Sequence, residues 1–188
     1  AYELNIKIFN SLQYTISGWP GGKPKSDDSN RPERATPMKK RIIIFSPHPD
    51  DDVISMGGTF DRLVEQGHEV HIAYQTSGNI AVSDEEALKF AEISKSFNTG
   101  SKTVNDIIDF IKNKKGNDSI DSLDVRQLKG SIRRSESLAA TRYMGLKDEH
   151  VHFLNLPFYE TGTIKKGNIT EEDIAITCRL IEDIKPNQ

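Results

Sequence analysis

The sequence predicts an α/β fold of three layers, a mostly parallel β-sheet with helices on both faces. Three observations carry this. From Arg41 onward, short apolar runs alternate with helix-patterned segments. The runs 41–46 and 69–76 flank one such segment, giving a βαβ unit whose crossover should be right-handed. Three acids and an imidazole, in Pro47-His48-Pro49-Asp50-Asp51-Asp52, directly follow the first run. In such sheets, ligands collect beyond the carboxyl ends of the strands.

The elements follow in order. Leu4, Ile8, Leu12 and Ile16 recur at steps of four and predict a helix over 3–16. Gly18-Trp19-Pro20-Gly21-Gly22 breaks it, and a polar stretch to Lys40 reads as a linker. Residues 1–40 are thus a helix and linker ahead of a domain over 41–188. The first strand is 41–46. A helix over about 54–66 turns Ile54, Phe60, Leu63 and Val64 inward and stops at Gly67. The second strand is 69–76. Ser83 caps a helix over 84–98, with acids in its first turn. A further helix covers 103–113, and 113–122 is a polar loop. A long helix over 125–144 ends at Gly145, a short strand covers 150–154, and Thr170 caps a last helix to about Ile184. The whole is Rossmann-like. Lys185-Pro186-Asn187-Gln188 reads as the approach to another strand, so the domain is expected to be incomplete at its C-terminal end.

Composition narrows the function. At 188 residues the chain can bury one core. The formal net charge of −3 comes without a basic stripe, which argues against nucleic acid as a partner. No apolar run approaches the roughly 18 residues of a membrane span. One cysteine, Cys178, excludes an intrachain disulfide, and a cytoplasmic setting is the default.

The turn 47–52 has a plain reading as a set of helix caps. Two features favour chemistry instead. Prolines on both sides of His48 fix the imidazole on a stiff turn, which a cap does not require. Three consecutive carboxylates repel each other more than capping needs, and a divalent cation relieves that repulsion. One nitrogen from His48 and one oxygen from Asp51 suit zinc, and iron or another transition ion less specifically. Gly57-Gly58 reads as close helix–sheet packing or backbone approach to a ligand. Thr76-Ser77-Gly78-Asn79, at the same sheet edge as His48, either lines the pocket or is an ordinary turn. Arg133 and Arg134, with Glu136 nearby, read as a salt-bridged face. His150 and His152 share a strand face and either supply metal nitrogens or are strand residues near solvent, and His68 and His71 carry no usable arrangement. Cys178, among Ile174, Ile176, Leu180 and Ile181, is expected to be a core thiol.

The strand followed by Pro-His-Pro-Asp-Asp-Asp and then Gly57-Gly58-Thr59 resembles the signature of the LmbE-like zinc de-N-acetylases. This is the superfamily of N-acetylglucosaminyl-phosphatidylinositol deacetylases, whose usual string is Ala-His-Pro-Asp-Asp-Glu. Arg133, Glu136, Ala140 and Gly145 resemble its helix block, and Thr76-Ser77-Gly78 its block after the second strand. The resemblance covers 41–83 and 130–188, leaving 84–129 as a helical insertion. It implies that His48 and Asp51 bind Zn2+, that Asp50 is the general base, and that Arg133 reaches polar or phosphate groups of a small amino-sugar substrate. Pro47 and Asp52 depart from the string at positions where the metal geometry should survive. The family's third ligand is a histidine in a later motif, expected beyond Gln188, so the 188 residues alone are expected to be inactive. Some bacterial chains fuse such a domain to a glucosamine-6-phosphate deaminase (isomerase), and residues 1–40 would suit that covalent join. A non-catalytic metal-binding α/β domain is the third reading.

Overall fold

The fold is seen in a computed structural model, which describes residues 1–15, 38–97, 101–116 and 119–188. Ile16 and most of the expected linker lie outside them.

Three strands form a parallel sheet among the described residues: β1 (Arg41–Ser46), β2 (Glu69–Tyr74) and β3 (Val151–Phe153), in the order β1-β2-β3. Arg41 pairs with Glu69 through to Ser46 with Tyr74, and Ile72 pairs with Val151. In β1 the burial alternates, turning Ile42, Ile44 and Ser46 inward. In β2, the central strand, every residue after Glu69 is buried. Gln188 lies along the other flank of β1. Its N–H donates to Arg41 O (3.3 Å) and its carbonyl accepts from Ile43 N (3.0 Å), which is parallel pairing.

The helices are α1 (Tyr2–Thr15), α2 (Asp51–Ile54), α3 (Gly57–Glu65), α4 (Asp84–Ser96), α5 (Lys102–Asp109), α6 (Leu123–Tyr143) and α7 (Glu171–Ile184). They cover both sides of the sheet, as the three-layer expectation requires. One face of the sheet, with Ile42, Ile44, Val70, Ile72 and Tyr74, packs on Phe60 and Leu63 of α3 and on Leu146 after α6. A second cluster joins Ala91 of α4, Ile107 of α5 and Val125 of α6. Beside it, Lys115 and Lys129 each bridge Asp84 and Asp121 at 2.6–2.8 Å. Burial pushes the Asp84 carboxyl up, but the two ammonium groups outweigh it and hold it below the usual range.

Several expectations are corrected. The helix expected over 54–66 is two pieces, broken at Ser55-Met56. The acidic turn itself winds into α2, and Ile54 is 76% exposed rather than inward. Gly58 has open space where a Cβ would stand and Gly57 only an ordinary contact, so neither glycine marks a close approach. Cys178 is exposed, because α7 turns Asp173, Thr177, Leu180 and Ile184 inward and leaves Ile174 and Ile181 toward solvent. Leu4, Ile8 and Leu12 of α1 are exposed by about half. His150 belongs to a 3-10 turn before β3, so it does not alternate with His152 on the strand. The predicted caps hold: Ser83 accepts from Glu86 N, and Thr170 forms a capping box with Asp173.

Candidate active site

The turn after β1 is tied down from several sides. Ser46, the last inward residue of the strand, donates its hydroxyl to His48 O (2.6 Å) and accepts from Asp52 N (3.0 Å). Asp52 is 1% exposed, and its carboxyl accepts from the Tyr74 hydroxyl of β2 at 2.9 Å. Burial raises the Asp52 pKa against the pull of its donors Tyr74, Ser46 and the helix backbone. Burial and the facing carboxylate drive the Tyr74 phenol far above its ordinary value. Thr76 donates to Pro47 O (2.7 Å), and Ser137 of α6 donates to Pro49 O (3.1 Å). Asp52 therefore anchors the turn from below, while its neighbours face outward.

On the outward side, His48 Nδ1 and Asp51 Oδ2 meet at 3.0 Å, and the His48 backbone N–H donates to the same oxygen (3.0 Å). Asp50 Oδ2 pairs with Arg133 Nη2 at 2.9 Å. Arg133 also donates to Pro49 O (3.3 Å) and touches Glu136 (3.4 Å). These groups share an open cleft of about 410 Å³ with Gly78, Ile80, Ala81 and Tyr159. The Tyr159 ring meets the His48 ring edge-on at 5.6 Å between centroids. Gly78 sits at φ +65°, and a Cβ there would stand 2.8 Å from Pro49 Cδ and 3.4 Å from Arg133 Nε. Only glycine lets the loop after β2 lie this close.

The turn can be tested as a metal centre on its own geometry. Two ligands on one zinc, at bonds of about 2.0–2.1 Å, stand roughly 3.3 Å apart at the tetrahedral angle. The observed His48–Asp51 spacing lies close to that, with both groups partly exposed to the cleft. Among the described residues no group of three His, Cys, Asp or Glu is gathered for a metal. The pair therefore fits as two ligands of a zinc ion and no more.

The cleft gathers all four residues singled out from the sequence: His48, Asp50, Asp51 and Arg133. The family model described as GlcNAc-PI de-N-acetylase matches residues 43–188. The chain belongs to that family. It is 55% identical over 197 aligned positions to a glucosamine-6-phosphate deaminase-like protein of Bacteroides thetaiotaomicron, a match covering 100% of this chain and 30% of that protein. It is also 36% identical over 47 residues to a diacetylchitobiose deacetylase of Thermococcus kodakarensis, covering 25% of this chain and 18% of that protein. No solved structure matches. The chain thus spans less than a third of the length of the first of these relatives.

Within this member of the family the structure adds residues that sequence reading missed. Tyr74, Ser46 and Ser137 hold the turn, and Tyr159 walls the cleft. Glu160 accepts from Ser77 N (2.8 Å), Ser77 Oγ (2.9 Å) and Asn79 Nδ2 (3.0 Å), which fixes the loop after β2. The one available signal was position: Tyr159-Glu160 follows β3 at the same carboxyl edge of the sheet. Three histidines, His71, His150 and His152, form a group on another part of the sheet. His71 Nδ1 lies 3.0 Å from His152 Nε2, and the His150 ring lies against His71 at 4.4 Å between centroids. Among the described residues no helix is long and apolar enough to cross a membrane.

Proposed function

We propose that this chain is the de-N-acetylase portion of a longer protein, hydrolysing the N-acetyl group of an amino sugar or its conjugate with zinc held by His48 and Asp51. The observation that supports it is the convergence of His48, Asp51, Asp50 and Arg133 on one cleft in a chain of this family. A bound zinc would supply an activated water and polarise the amide carbonyl. Asp50, next to the ligand pair, is the group placed to take the proton as water attacks and to return it to the leaving amine. Arg133, through its 2.9 Å contact, aims the Asp50 carboxylate. Acetate and the free amine leave. The third protein ligand would come from the part of the intact protein that follows Gln188.

The test uses the intact protein. It should contain about one zinc per chain, lost in His48→Ala, and should release acetate from N-acetylglucosamine derivatives. Asp50→Ala should end acetate release while zinc stays. An intact protein that never takes up zinc would sink the reading. A second reading concerns the rest of the protein. The relative named as deaminase-like is matched over only 30% of its length, so a sugar-phosphate deaminase domain would sit outside this segment. Ammonia release from glucosamine-6-phosphate by the intact protein checks it.

A further inference from the structure

A second cavity, about 430 Å³, opens between α6 and the loops after β2 and β3. Three pairs of chain neighbours place one residue in the His48 cleft and one here: Gly78 and Ser77, Arg133 and Arg134, Tyr159 and Glu160. Consecutive Cα atoms are only about 3.8 Å apart, so the two cavities border each other along these three pairs.

Two guanidinium groups dominate the second lobe. Arg126, Gly130 and Arg134 stand at steps of four on α6 and so share one stripe, with the arginines about 12 Å apart along the axis. Gly130 keeps the floor low, since a Cβ there would meet Ser77 Cβ at 3.3 Å. Among the described residues neither arginine has a carboxylate at ion-pair distance, unlike Arg133 next to them. Arg126 is held in place. It lies against Gly162, where a Cβ would stand 2.8 Å from its Nη1, and donates from Nη1 to Glu160 O (3.2 Å). Its Nε is buried without a partner. Arg134 lies over the Phe153 ring at 4.4 Å, which fixes the plane of the guanidinium and leaves its N–H edge for a ligand. The one acid in the lobe, Glu160, has both carboxylate oxygens turned to Ser77 and Asn79. What remains is two guanidinium groups against one carboxylate that is occupied by neutral donors, a lobe of net positive charge with N–H groups left to meet an oxyanion.

We infer that the Arg126–Arg134 lobe is an anion subsite that takes a phosphomonoester carried on the sugar whose acetamido group enters the His48 cleft. This rests on the de-N-acetylase reading above and narrows its substrate to phosphorylated amino sugars. Each fork contributes a charge-assisted contact worth about tenfold or more in binding.

The intact protein should prefer N-acetylglucosamine 6-phosphate to N-acetylglucosamine in kcat/KM. Arg134→Ala should cut that preference ratio by about tenfold or more, chiefly through the KM of the phosphorylated sugar, with Arg134→Lys intermediate. Arg134 is exposed, so its removal leaves the core alone. Arg126→Lys gives a second, independent reading of the ratio. A ratio unmoved by both variants overturns the subsite. Should neither sugar be deacetylated, the reaction reading has failed, and binding of inorganic phosphate decides the subsite by itself. Calorimetric binding that is lost in Arg134→Ala upholds it, and absence of binding to the unaltered protein overturns it.

Discussion

The pairing of Arg133 with Asp50 separates two roles for the arginine, and a double-mutant cycle tells them apart. The side chains are 17% and 41% exposed and the contact is 2.9 Å. A pair this open to solvent adds less than about 1 kcal/mol to stability. Pro49 O keeps the Ser137 hydroxyl when the guanidinium is gone. Arg133→Ala should therefore leave the fold and the zinc content unchanged. If the arginine acts by aiming Asp50, its loss removes a hydrogen bond to a charged group, about 1.5–3 kcal/mol, or roughly 10- to 150-fold in kcat. Asp50→Ala, which removes the proposed base, should lose about 10²- to 10⁴-fold. In the Asp50→Ala background there is nothing left to aim, so Arg133→Ala should then cost less than about threefold. The assay is acetate release by the intact protein, with zinc measured on each variant. An equal loss in both backgrounds would refute the reasoning and make Arg133 a direct contact to the substrate.

Three further outcomes are expected. Burial lowers the pKa of His71, against the pull of Glu69, and likewise that of His152, with neighbouring imidazoles and Arg41 adding to the effect. Both therefore stay neutral in the fold below the ordinary 6.5 at which they protonate when unfolded. The unfolded chain then binds more protons, so stability is fully present above pH 6.5 and falls as pH drops through it. Melting of the intact protein between pH 8 and 5 should show this, and the slope should shrink in His71→Asn/His152→Asn; an unaltered slope counts against it. Lys129→Met strands two carboxylates on Lys115 alone. A broken buried pair costs about 3–5 kcal/mol, trimmed to about 2–3 here because Lys115 remains and Asp84 is partly open to water. Hydrogen exchange of α4–α6 in the intact protein reads that loss directly. Gly78→Ala forces a left-handed φ on a residue with a Cβ and presses it on Pro49, at about 1–2 kcal/mol or more. It should lower turnover along with stability, and normal kcat in this variant would show that the loop after β2 does not set the cleft.

The parts of the fold that repeat locally were legible. Short apolar runs marked β1 and β2, and Ser83, Thr170, Gly67 and Gly145 marked helix ends because caps and stops act through neighbours in sequence. The four residues of the cleft were legible too, three of them in one turn and the fourth on a helix block. What stayed hidden depends on distant chain. Cys178 looked buried because isoleucines flank it on several sides of α7, and only the sheet decides which side is inside. Ile54 looked inward because the helix was read as continuous, whereas the acidic turn winds up first and breaks before Gly57. The His71–His152 contact joins residues 81 apart and leaves no periodic trace. Asp52 could not be told from Asp50 or Asp51 by type, and Tyr74, 22 residues on, is what sets it apart.

That separation of three adjacent aspartates is where fold and chemistry meet. β1 ends with Ser46 pointing into the core face, so the residue that returns beneath the strand end must also be polar. Asp52 fills that place and is buried with Tyr74 and Ser46. With Asp52 fixed below, the short helix that begins at Asp51 swings Asp51 beneath His48, while Asp50, as its N-cap, is left toward α6 and Arg133. The sheet then explains why the turn faces a cleft at all. From β1 the chain adds β2 and β3 on one flank, and after α7 returns to the opposite flank, where Gln188 pairs with β1. β1 is thus paired on both flanks at the point where the order along the sheet reverses, and in such sheets the crevice opens at the carboxyl end of the strands there. On the de-N-acetylase reading proposed above, a short acidic string thus becomes three different groups: one anchor, one metal ligand and one base. The anchor is the member whose loss should be felt first in folding, and the other two should be felt first in turnover.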